Sequence, residues 1–204
     1  MQIEIGKYKH YLSDIISGFF YCYRKFALIR SDHASSATYA EIKYFRDLGD
    51  MLNFATEVEA RTSSEDKKPA DLVWVEDYDG EYYSPKKLVL HLERETKGRD
   101  RFNVIKNNLF PRSISHKVPL GIAIIDNVPK EKHEKIINIF EKAFYSKRRF
   151  DEFALIIYSN LRKNKKNIFA KIFYQDGETE VIEAKFEYVG KHENEAAGFV
   201  VVSN

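Results

Sequence analysis

Leu88-Val89-Leu90-His91-Leu92-Glu93-Arg94-Glu95-Thr96-Lys97 is the stretch whose reading decides the fold. Successive side chains of a strand point to opposite faces. On that pattern Leu88, Leu90 and Leu92 share one side, while Val89, His91, Glu93, Glu95 and, with the strand prolonged, Lys97 share the other. The spacing predicts a strand over 87–95. It also sets Glu93 and Glu95 side by side, and like charges so placed are costly unless something positive accompanies them. A hard divalent cation held by oxygens is one remedy, and pairing with Arg or Lys is another.

Working backwards, the acidic, glycine-containing stretch 77–85 reads as a hairpin connection, and Ala70 to Glu76, an apolar run with Asp71 at its start, as the preceding strand. Two consecutive antiparallel strands bring the start of one beside the end of the next, so Asp71 is expected opposite the Glu93 to Lys97 end. Before a polar loop over 62–68, residues 54–61 alternate as a half-buried strand, with Phe54, Thr56, Val58 and Ala60 on one side. Two helices precede it, over about 8–30 and 37–53. Ser35, Ser36 or Thr38 is the expected N-cap of the second, and Glu41, Phe45, Leu48 and Leu52 form its stripe.

Working forwards, a short helix over 100–108 ends before Pro111, and 118–126 is too apolar to face water on either side, as a central strand is. Pro129 opens an amphipathic helix carrying Ile136, Ile139, Phe140 and Ala143. Residues 153–158 form a buried strand, and 168–174 and 179–186 a hairpin around Asp176-Gly177. The expected fold is mixed α/β, one domain over 1–204 with helices flanking a central mixed sheet. An N-terminal helical extension (1–36) precedes its core and a C-terminal α/β extension (127–204), ending in the hairpin, follows.

Pro69-Ala70-Asp71-Leu72-Val73-Trp74 followed by Leu88 to Lys97 resembles the PD-(D/E)XK nuclease superfamily, the restriction-endonuclease-like fold. The element order over about 37–126 is similar to that family's αβββαβ core. Two registers fit its motif. One takes Glu93-Arg94-Glu95, with glutamate where the family usually has lysine; the other takes Glu95-Thr96-Lys97, a literal ExK two residues later. In the first, Asp71 and Glu93 resemble the metal-binding pair, Glu95 replaces the lysine that orients or activates water, and Lys97 is an auxiliary phosphate contact. Glu41 fits a further metal-binding glutamate of the first core helix, with Glu59 as its competitor. The resemblance implies Mg²⁺ as cofactor, with Mn²⁺ substituting, and a small type II restriction-like endonuclease acting on double-stranded DNA as a homodimer. Lys97, Arg99 and Arg101 would hold the backbone. An eroded, non-catalytic DNA-binding or assembly subunit is the alternative that glutamate in the lysine's place keeps open. RNA processing or junction resolution by the same core is a third.

Composition is compatible with this reading. Net charge is only +2, but the charge is polarised: basic residues dominate 91–117 and 146–166, and acidic ones 175–204. A basic face opposite an acidic tail suits a polyanion, although each run also reads as a solvated surface. His91 alone in a strand reads as a hydrogen-bonded core residue before a catalyst. The six histidines lack zinc-ligand spacing, the single Cys22 has no visible histidine partner, and the nine glycines form no phosphate loop, so zinc, thiol and nucleotide-driven chemistry are not expected. Without a leader or a disulfide pair, and with Asp14, Arg24 and Lys25 interrupting the apolar stretch 12–29, the sequence reads as intracellular (cytoplasmic), without a membrane span. Most of the aromatic residues fall at core periodicity; Tyr82 and Tyr83, in the connection between the motif strands, are exposed candidates for a substrate contact.

Overall fold

The computed structural model describes residues 11–26, 34–60, 69–76, 88–95, 101–111, 117–162, 165–189 and 198–201. Helices α1 (Tyr11–Phe26) and α2 (Ala34–Met51) precede strands β1 (Ala55–Ala60), β2 (Ala70–Val75) and β3 (Leu88–Glu95). Then come α3 (Arg101–Leu109), β4 (Val118–Ile125), a single 3-10 turn (Lys130–Lys132), α4 (His133–Lys147) and β5 (Phe150–Arg162). Strands β6 (Lys165–Tyr174), β7 (Thr179–Val189) and β8 (Gly198–Val201) complete one eight-stranded sheet, whose spatial order is the chain order.

Strands β1, β2 and β3 form an antiparallel meander; β3, β4 and β5 run parallel through the α3 and α4 crossovers; and β5 to β8 are antiparallel again. Parallel neighbours on both sides account for the unbroken apolar run of β4, which is buried at every residue except Pro119. The expected hairpin is present, with Gly177 taking the positive φ (91°) its turn requires. Edge strand β8, which no sequence signal announced, pairs with β7 beyond it.

Two apolar layers enclose the sheet. On one face α1 and α2 bury Leu12, Ile16, Phe19 and Phe45 against Leu72, Trp74, Leu90, Leu92, Ile122 and Ile156. On the other, α3 and α4 bury Ile105, Leu109, Phe140 and Phe144 against Val73, Ala123, Phe153 and Leu155. Helix α2 approaches the sheet closely at Gly49, where a Cβ would meet Thr56 Cγ2 and Trp74 Nε1 at 2.6 Å. The Trp74 indole N–H donates to the Phe45 carbonyl at 3.0 Å and its ring stacks on Phe54. Fully burying one such aromatic side chain contributes about 2–3 kcal/mol.

Several local readings change. Helix α2 starts at Ala34, so Ser35, Ser36 and Thr38 lie inside it instead of capping it; Asn53, with φ 67°, closes its other end while the Phe54 N–H returns to the Gly49 carbonyl. In β1 the alternation breaks at Glu59, which takes φ 56°, and Ala60 joins the α3/α4 side instead of following Phe54. A register shift between Trp74 and Val75 does the same in β3: Leu88 pairs with Val75 and turns to the α3/α4 face, away from Leu90 and Leu92. Ile139 is only half-buried on α4, whose buried apolar residues are Ile136, Phe140 and Phe144. Among the described residues no helix is long and apolar enough to cross a membrane.

Candidate active site

The alternation of β3 that matters for chemistry holds from Leu90 onward. Leu92 pairs with Leu72 and His91 with Val73, and one further step of the same antiparallel register sets Asp71 against Glu93. The Arg94 backbone N–H donates to Asp71 Oδ2 at 2.5 Å. Burial is the largest influence on the Asp71 carboxyl, with the negative charge of Glu93 next and that of Glu95 smaller. Together these outweigh the Arg94 N–H bond and charge, and hold the carboxyl up at about 7 from an ordinary 3.8. The expectation that Asp71 meets the Glu93 end of β3 is therefore met in space.

Glu93 is 4% exposed, and each of its oxygens has a donor. His91 Nε2 lies 2.9 Å from Oε1, and Asn108 Nδ2, from the last turn of α3, donates to Oε2 at 3.1 Å. His91 is itself 3% exposed, as a hydrogen-bonded core histidine should be, yet its partner is the central carboxylate of the site. Behind it stands Arg149, just before β5. Arg149 Nη2 lies 3.3 Å from His91 Nδ1, and Arg149 Nη1 donates to the carbonyls of Asn108 and Leu109 at 2.9 and 2.7 Å. Glu95, partly exposed at the end of β3, completes the acidic edge, and its carbonyl accepts from the Asp126 N–H at 3.2 Å.

Glu41 is not brought to this face. It lies on the α2 side of the sheet, 1% exposed, where the Arg94 guanidinium binds it through Nε. Arg94 Nη2 also faces Asp126 at 3.7 Å. The periodicity that put Glu41 on the inner stripe of α2 was sound, but its partner is a buried arginine and not the Asp71 and Glu93 pair. Glu59, its competitor, is exposed on β1. Arg149, which the basic run 146–166 suggested as a surface contact to a nucleic-acid backbone, is 6% exposed and committed to the interior. Lys97, Arg99, Tyr82 and Tyr83 lie outside the described residues; Arg101 opens α3, its side chain likewise outside them.

Sequence reasoning missed His91, Asn108 and Arg149 as members of the site. His91 had the only available signal, its position on the Glu93 face two residues away. Asn108 and Arg149 reach Glu93 and His91 across long chain separations, which no local period encodes.

Among the described residues no group of three or more His, Cys, Asp and Glu side chains stands ready to hold a metal ion. Mg²⁺ does not need one: it is commonly held by one or two carboxylates and keeps several waters. The donor set is all oxygen, which suits such a hard cation, and the ionised form of Asp71, disfavoured first by burial and then by the charges of Glu93 and Glu95, is the form a bound cation would favour. A carboxylate has about four acceptor directions, so hydrogen bonds to both Glu93 oxygens do not by themselves bar a cation. No family model matches the chain, and no curated protein matches its sequence significantly.

Proposed function

We propose that the chain is a Mg²⁺-dependent endonuclease that hydrolyses phosphodiester bonds in DNA, of the small type II restriction-like kind, on a PD-(D/E)XK-type core. One observation carries the reading: Asp71 is held against Glu93 on the sheet face that also bears Glu95, where burial and the charges of Glu93 and Glu95 outweigh the Arg94 N–H bond and charge and raise its carboxyl to about 7. The helix, three-strand meander, helix and parallel strand running from α2 to β4 follow the αβββαβ order that the resemblance implies.

In this reading Asp71 and Glu93 are the residues that hold Mg²⁺ or Mn²⁺. Bound there, the cation would acidify a water and offset the charge that develops on the phosphate. Glu95, the more accessible carboxylate, orients the attacking water and accepts its proton. Lys97, Arg99 and Arg101 follow directly from the end of β3 and supply charge for the phosphate backbone; a homodimer would place two such sites on the two strands of a duplex.

The test is incubation of the protein with plasmid DNA and Mg²⁺ or Mn²⁺. Nicking or linearisation that disappears in Asp71→Ala and Glu93→Ala supports the proposal. Cleavage that survives those substitutions, or none with native protein across many sequences, sinks it. A second reading, a non-catalytic DNA-binding or assembly subunit on the same core, is favoured by the donors already on both Glu93 oxygens and by Glu95 in the lysine's place. Calorimetry separates the two: an eroded site takes up no Mn²⁺ in a carboxylate-dependent manner.

A further inference from the structure

We infer that Arg149 is a positioning residue for Glu93, acting through His91 and Asn108 at once. The argument begins with donors. A guanidinium has only N–H groups to offer, so where Arg149 Nη2 meets His91 Nδ1 at 3.3 Å, that ring nitrogen is the acceptor. The ring proton then sits on the other nitrogen, and His91 Nε2–H donates to Glu93 Oε1 at 2.9 Å. Arg149 thereby fixes the tautomer in which His91 can grip the carboxylate.

The second grip runs through α3. Arg149 Nη1 takes the main-chain carbonyls of Asn108 and Leu109, two of the end carbonyls that no turn of the helix satisfies. Asn108 is the residue whose side-chain amide donates to Glu93 Oε2. One buried fork, anchored at the start of β5 with its guanidinium 5.3 Å from the Phe150 ring centroid, thus sets both donors that orient Glu93. A lysine could not do this, because its ammonium lacks the planar fork that reaches two helix carbonyls and an imidazole together.

The consequence for metal binding rests on the nuclease reading; the consequence for His91 does not. Nitrogen-15 NMR of the imidazoles in the full-length native protein, with His91→Gln used to assign the signal, tests the first link. The proton is expected on His91 Nε2, and a proton resident on Nδ1 overturns the proposal even if no variant folds. In Arg149→Met the tautomer preference should be lost. Mn²⁺ binding measured by calorimetry should weaken about 10- to 100-fold, the usual cost of losing a residue that orients a ligand. Asn108→Ala, which cuts only one grip, should weaken it less. If native protein binds no Mn²⁺ while the tautomer responds to Arg149→Met as expected, the nuclease reading fails and the positioning relay stands. Unchanged tautomer and unchanged affinity in Arg149→Met refute the relay.

Discussion

Replacing Asp71 by Asn should make the metal-free protein more stable at neutral pH, and by an amount the structure sets. The carboxyl is raised from 3.8 to about 7 by burial and by the charges of Glu93 and Glu95. Between those two values the folded chain holds a proton that the unfolded chain has released, so stability falls as pH rises through the interval. Each unit corresponds to about 1.4 kcal/mol, and a shift of about three units to about 4 kcal/mol lost by about pH 8. Asn carries no charge, and its amide oxygen can still accept the Arg94 N–H bond that Asp71 accepts at 2.5 Å. The two proteins should therefore match at about pH 4 and diverge above it. For a chain of this size 1 kcal/mol moves the melting temperature by about 2–4 °C, so at about pH 8 the variant should melt about 8–16 °C higher. Urea or thermal melts in EDTA over the pH series measure this directly. On the proposed reading Mg²⁺ should narrow the gap by stabilising the native chain alone, since only a state that binds the ion gains from it. Parallel stability curves in EDTA, or a variant weaker than native at about pH 8, would refute the picture of a carboxyl raised by burial and by its acidic neighbours.

Arg94→Met should cost about 3–5 kcal/mol in urea melts, because it removes the guanidinium bound to the buried Glu41 carboxylate, and Glu41→Met added to it should restore much of that loss; a single variant close to native stability would argue against the pairing. Gly49→Ala should lower stability by about 1–3 kcal/mol, since the added methyl meets the Trp74 indole and Thr56 at 2.6 Å; an unchanged melting temperature and unchanged Trp74 fluorescence would show that α2 can lift away freely.

What could be read from the sequence, and what could not, divides by the range of the signal. The period of two placed Glu93 and Glu95 with His91 on one face because strand geometry is local, and consecutive strands brought Asp71 to them. Leu88 was misplaced by the register shift opposite Trp74 and Val75, a defect that leaves no mark in an alternation of Leu and Val. Glu41 was rightly set on an inner stripe, but periodicity gives a face and not a partner, and Arg94 is the residue that stands there. Arg149 looked like one more member of a basic surface run; its burial follows from the carbonyl ends of α3, a contact made only when the two crossovers pack side by side. Strand β8 is too short to show a pattern of its own.

The order of the sheet also bears on how the chain is assembled during synthesis. Since each strand lies beside the one made just before it, every new strand can dock on an open edge, and none has to be inserted between two already joined. Residues Asp71, Glu93, Asn108 and Arg149 belong to the first three quarters of the chain, so the polar chain from β2 to the start of β5 can close while β6, β7 and β8 are still being made. Until they arrive, the outer edge of β5 presents unpaired backbone groups, a transient template for another nascent copy. The growing polypeptide should be most prone to misassociation once β5 has left the ribosome and before β6 covers it.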